Sequence, residues 1–254
     1  MSDSLPNVLW LTLESVRADH TSIYDYERDT TPFLSKLKEQ PNTTVLNPMV
    51  SASNWTPAST ASILTGTHMS THQIGQDGTA EHSLPSEIST LPQLLSEEGY
   101  QTALFSPNPY ISDETGLDRG FDHWELSTIN NSADFIGLDS LSRDYIKVAF
   151  QRFIENPTVS AESFKHDLGN SSNCLVEYRF RRWLKEQYQR NNPFFVYAHI
   201  QSPHHAYHPI SKFRDQYTGN IKMSTAEADQ LSDRVYDGEE AITKRIATGL
   251  DLSE

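Results

Sequence analysis

A three-layer αβα sandwich around a largely parallel central sheet is the fold class this sequence predicts. Three observations predict it. Two apolar runs, NVLWLTL at 7–13 and PFFVYAHI at 193–200, are nearly continuous rather than alternating, as strands covered on both faces require. Stretches with helical spacing of apolar residues alternate with the strand-like runs. Polar groups collect where strands end, Glu14 after the first run and His199 closing the last, and an open α/β sheet gathers its ligands at such ends.

Taken in order, residues 7–13 form the first strand, with Glu14 at its tip. TPFLSKLK at 31–38 opens with a hydroxyl and a proline and spaces Phe33, Leu34 and Leu37 as a helix does. A second strand is expected in TTVLNPM at 43–49. SNWTPASTASILTG at 53–66 then turns sharply into a helix that Gly66 caps. LPSEISTLPQLLSEEGYQTALFS reads as a helix ending near Gly99 and a short buried strand to Ser106. Residues 126–171 are polar and weakly periodic, and read as an insertion. An amphipathic helix, SSNCLVEYRFRRWLKEQYQRN, leads into the last strand and the histidine-rich QSPHHAYHP, and residues 224–250 are helical again. No internal repeat or domain boundary stands out, so residues 1–254 are expected to form one domain.

The chain's 254 residues suffice for a sizeable core. A net charge of −14 would repel nucleic acid and anionic membrane surfaces, so no nucleic-acid partner is expected. Such an acidic surface also suits a high-salt cytoplasm. No apolar run is long enough to span a bilayer, and MSDSLPNVLW lacks the basic flank and apolar core of a secretory signal; the expectation is a cytoplasmic protein without an integral membrane segment. The one cysteine, Cys174, has no intrachain partner and reads as a packed thiol.

The chemistry lies in what converges at the strand ends. Glu14, Thr56 and the histidines after the last strand each have an ordinary explanation alone: a solvated carboxylate, a helix N-cap, surface imidazoles. Together they make sense as a group transfer. A carboxylate holds a divalent cation, the cation makes a hydroxyl nucleophilic, and a helix N-terminus or Arg17 holds the nonbridging oxygens of an anionic ester. Trp55 reads as a packing residue beside that turn, and Asn108 as a polar anchor in the pocket or a turn former. His199, His205 and His208 read as strand-end or surface residues, and Asp118, Arg119 and Asp122 as loop-fixing charges.

Four ordered segments resemble the sulfatase family of the alkaline-phosphatase-like superfamily. NVLWLTLESVRADHTSIYDYERDTTPFLSKL is similar to the family's opening, SNWTPASTASILTG to its nucleophile segment, and GYQTALFSPNPYISDETGLDRGFDHW and PFFVYAHIQSPHHAYHP to two further segments. The resemblance implies an alkaline-phosphatase-like fold and hydrolysis of a small-molecule sulfate or phosphate ester. It places Glu14 at the first metal-binding acid and Thr56 at the nucleophile, where it would also ligate the metal. Arg17 falls beside that site, and His204 at the histidine that contacts substrate or leaving group. The implied cofactor is a divalent metal, with Ca, Mn and Zn all open.

The departures carry as much information. Ser15 replaces the second acid, Thr60 replaces the arginine beside the nucleophile, and Pro107 and Pro109 fall where many sulfatases place a lysine and a histidine. A threonine cannot yield formylglycine, so no aldehyde-hydrate mechanism is expected. Glu14 with Thr56 resembles instead the phosphoethanolamine-type transferases of the same superfamily. The family's remaining metal ligands, an Asp followed by His or Asn on a strand after the long helix, have no counterpart here, since Asp19-His20 and Asp122-His123 fall in segments that do not bind metal. The sequence therefore reads as the N-terminal portion of a longer enzyme or as a short, inactive relative, with a non-catalytic anion- or partner-binding module as the alternative.

Overall fold

The computed structural model describes residues 5–75, 82–127, 140–155, 172–190, 192–205, 207, 209, 213, 216 and 223–236. Much of the expected 126–171 insertion, His208, and the expected helix beyond residue 236 lie outside the described residues. The chain divides into two compact units, Met1–Thr128 with Phe180–Ile200, and Ile129–Arg179 with Gln201–Glu254.

The first unit holds the sheet. Strands β1 (Val8–Leu13), β2 (Gln101–Ser106), β3 (His123–Leu126) and β4 (Phe194–Ile200) pair in the order β1-β4-β2-β3, every pairing parallel. β2 and β4, at the centre, bury Ala103, Leu104, Phe105, Phe195, Val196 and Tyr197 almost completely, as their continuous apolar runs require. β1 corrects an expectation. It lies at the sheet's edge, and Leu9 and Leu11 remain 53% and 52% exposed although the run reads as covered on both faces. The strand expected at 43–49 is also absent: the segment makes no β-pairing, and Met49 and Val50 are exposed. Pro48 supplies no N–H to a ladder there, and among the described residues nothing covers Leu46 and Met49, which are 59% and 69% exposed.

Helices α1 (Pro32–Lys38), α2 (Thr56–Thr65), α3 (Met69–His72) and α4 (Leu91–Glu97) complete this unit. α2 starts where Pro57, near its first turn, pre-sets the helical φ, and stops at Gly66, whose φ of +66° suits a residue without Cβ. Ala58, Ala61 and Leu64 on its inner face join Leu104, Phe195 and Tyr197 in one core cluster, the small alanines permitting close approach to the sheet. α4 opens with a capping box in which Thr90 and Gln93 satisfy each other's backbone N–H groups. Arg119 and Asp122 fix the loops around it: the guanidinium donates to the Pro85 and Ile88 carbonyls, and Asp122 accepts the Thr102 backbone N–H. On the remaining part of this unit Phe180 and Trp183 pack edge-on against Phe105.

In the second unit, helix α5 (Ser140–Glu155) lies within the segment read as a weakly periodic insertion. Helix α6 (Ser172–Tyr188) begins in this unit, and Arg179 meets Asp144 of α5 at 3.3 Å with both side chains buried. An ion pair so enclosed specifies a partner more than it adds stability, because desolvation offsets most of the attraction. Helix α7 (Thr225–Tyr236) is capped by Ser224, which exchanges hydrogen bonds with Glu227, and Tyr236 stacks on His205. No helix among the described residues is long and apolar enough to cross a membrane.

Candidate active site

Parallel register builds the site. Thr12 of β1 lies opposite His199 of β4, and the ladder runs one residue further, the Glu14 N–H donating to the Ile200 carbonyl at 2.9 Å. Ser15, at φ +60°, then turns the chain out of the strand. Side chains two apart share a face, so Glu14 projects beside His199. Thr56 comes from the first residue of α2, after Trp55 at the N-cap, and Trp55 packs edge-on against Tyr110. Asn108 comes from the loop after β2, where its N–H donates to Ser106 Oγ and its Oδ1 accepts the Tyr110 N–H.

These groups meet at one carboxylate. The Thr56 hydroxyl donates to Glu14 Oε1. Glu14 Oε2 takes the His199 Nε2 contact at 2.9 Å and the Asn108 amide at 3.5 Å. Behind it, the Tyr197 hydroxyl lies 3.3 Å from His199 Nδ1, with the Thr12 and Thr60 side chains beside it. Burial pushes the Tyr197 phenol above its ordinary pKa; hydrogen bonds from Thr12 and Thr60 oppose that rise and the Glu14 charge adds to it. The phenol therefore keeps its proton at neutral pH and remains a donor.

Glu14, Thr56 and Asn108 are thus in direct contact. Arg17 instead forks Asp19, Nε to Oδ1 at 3.0 Å and Nη2 to Oδ2 at 2.6 Å, out in solvent. That hydrogen bonding, with a second bond from His20, holds the Asp19 carboxyl well below the usual carboxylate range. His204 belongs to the second unit, its N–H donating to Gln201 O and its Nδ1 meeting the His205 carbonyl. His199 corrects the reading of it as a strand-end or surface residue: it is 2% exposed and bonded to Glu14. The available signal was a tyrosine and a histidine two apart inside an apolar run, since polar groups buried in a strand must find partners.

A divalent cation would find hard oxygen donors at Glu14 and Thr56. One carboxylate and one hydroxyl are too few, and among the described residues no group of three or more His, Cys, Asp or Glu is arranged to hold a metal. The described residues therefore do not complete a metal site.

The family model described as Sulfatase matches residues 6–240. Among solved structures, the phosphonate monoester hydrolase of Agrobacterium radiobacter is similar at 18% identity and a TM-score of 0.56, the match covering 80% of this chain and 42% of that one. A putative sulfatase from Bacteroides thetaiotaomicron VPI-5482 matches at 16% identity and a TM-score of 0.47, over 79% of this chain and 36% of that one. The C-terminal periplasmic domain of EcEptC from Escherichia coli, solved as a complex with Zn, matches at 18% identity and a TM-score of 0.48, over 90% and 54%. The chain spans roughly a third to a half of these neighbours' lengths, and such distant likeness speaks to fold alone. No curated protein matches the chain.

Proposed function

Because the chain belongs to the sulfatase family, we propose that it hydrolyses sulfuric or phosphoric esters, with Thr56 as nucleophile and Glu14 as the group that takes its proton. The observation that carries this reading is the hydrogen bond from the Thr56 hydroxyl to Glu14 Oε1 at the first residue of α2. A threonine hydroxyl is far too basic to ionise at neutral pH, so its proton must leave as the new bond forms. Oγ1 bonds to the sulfur or phosphorus, the proton passes to Glu14 Oε1, and the bond to the leaving oxygen breaks with its electron pair on that oxygen. Water then attacks the sulfur or phosphorus carried on Thr56, and the bond to Oγ1 breaks with its electron pair on Oγ1. Oγ1 takes back the proton from Glu14, and sulfate or phosphate leaves as the water's surplus proton passes to solvent. The positive end of α2 faces charge gathering on the nonbridging oxygens.

Asn108 enters this reading as a substrate-binding group; Arg17 as a second one and His204 as the acid that protonates the leaving oxygen enter on the family resemblance alone. A divalent metal at Glu14 and Thr56 belongs to the same resemblance, and no step above runs through it. An alcohol in place of water would make the same Thr56 chemistry a phosphoryl transfer.

Turnover of aryl sulfates and aryl phosphates by the full chain, supplied in turn with Ca, Mn and Zn, tests the reading. Thr56→Ala should lower kcat about a thousandfold while Thr56→Ser keeps a measurable fraction. Unchanged turnover in Thr56→Ala would sink it, and metal or anion binding without any turnover would favour a non-catalytic module.

A further inference from the structure

Three elements each bring a polar pair to one face around Glu14. On β1 the pair is Thr12 and Glu14, and on β4 it is Tyr197 and His199, both at the spacing that keeps side chains on one side of a strand. On α2 it is Thr56 and Thr60, one helical turn apart. The Thr56 hydroxyl donates to Glu14, and His199 joins Tyr197 to Glu14. The hydrogen bonds therefore run as a chain from Tyr197 through His199 and Glu14 to Thr56.

Its polarity runs one way. With Glu14 ionised and the ring neutral, the carboxylate only accepts, which places the ring proton on His199 Nε2, facing Glu14 Oε2. His199 Nδ1 then offers a lone pair to the Tyr197 hydroxyl. Tyr197 is fully buried and His199 2% exposed, so water does not compete for these bonds.

We infer that His199 and Tyr197 are positioning residues for Glu14, a buried relay that clamps Oε2 so that Oε1 is held to the Thr56 hydroxyl. The assignment rests on the reading of Thr56 as nucleophile. A carboxylate on two freely turning χ angles would present either oxygen or neither, whereas a clamped one is oriented before the reaction begins. Position 60, where the resemblance expects an arginine, instead carries a threonine beside the Tyr197 hydroxyl.

Three variants of the full chain test this. His199→Gln keeps a side-chain N–H near the Nε2 position, His199→Ala removes it, and Tyr197→Phe removes the hydroxyl at Nδ1. Nitrogen NMR of the His199 ring should show the proton on Nε2 in the parent chain and a loss of that preference in Tyr197→Phe. In aryl-ester turnover, His199→Ala should lower kcat about tenfold to a hundredfold with KM within about twofold, and His199→Gln should restore most of it. A proton resident on Nδ1 in the parent, wild-type kcat in His199→Ala, or a glutamine variant no better than alanine at equal melting temperature would overturn the assignment. The ring tautomer does not depend on turnover, so loss of Thr56-dependent hydrolysis would refute the proposed function while the NMR result still decides the relay.

Discussion

A hydroxyl and a carboxylate 42 residues apart in the chain are hydrogen-bonded because one opens a helix and the other follows the end of a strand. His72, another buried polar side chain of the same unit, serves packing. His72 is fully buried, its Nδ1 accepting the Ile74 N–H and its Nε2 meeting Ser62 Oγ at 2.9 Å, which ties α3 to α2. Burial lowers the His72 pKa below the ordinary value of about 6.5, a backbone hydrogen bond opposing part of the shift. The unfolded chain then binds the proton more readily than the folded one. Its contribution is complete above pH ~6.5 and is lost as the pH falls from there toward the depressed folded value. Urea unfolding between about pH 5 and 7 should show stability falling with acid, with a shallower fall in His72→Gln; equal slopes would contradict the assignment. At this scale Glu14, Thr56 and Asn108 were legible in the sequence because strand tips and helix starts leave local marks. His199 was not, because a histidine closing an apolar run reads equally as solvent-facing, and only the β1–β4 register decides.

The elements that could be read were those whose marks are local. α2 carries Thr-Pro at its start and Gly66 at its end, and β2 and β4 are apolar runs lying between covering layers. β3 escaped notice because His123–Leu126 is four residues long and carries charge, and its pairing with β2 is a tertiary fact. The 43–49 run misled for the opposite reason: its valine and leucine suggest a strand, yet no neighbouring strand pairs with it. Close approach of elements sets a sharper constraint at Gly120. Its φ is +85°, and a Cβ there would lie 2.3 Å from the Gln93 backbone nitrogen, inside the α4 capping box. The loop cannot move away freely, since the Thr90 hydroxyl donates to the Arg119 carbonyl and that of Thr102 to the Gly120 carbonyl. Gly120→Ala should cost about 2–4 kcal/mol by urea denaturation, through backbone strain and overpacking together; a change within about 0.5 kcal/mol would show that the loop yields.

For the whole molecule, the main difficulty is charge. With 34 acidic against 20 basic residues the chain repels an anionic ester at long range, so attraction must come from groups within the site. Under the proposed function the N-terminus of α2 and the Asn108 amide would be such groups, both in the first unit with Glu14, His199 and Thr56. The sulfatase family model spans residues 6–240 and so includes both units, while the assembled carboxylate–hydroxyl pair lies within the first. The most direct test of that pair as reactive machinery is mass spectrometry of the acid-quenched full chain after exposure to an activated aryl phosphate or aryl sulfate. One phosphoryl or sulfuryl group should appear on the peptide containing Thr56, at a level that falls in Glu14→Gln and vanishes in Thr56→Ala. Turnover with the group found on another residue, or an adduct that persists unchanged in Thr56→Ala, would contradict the account.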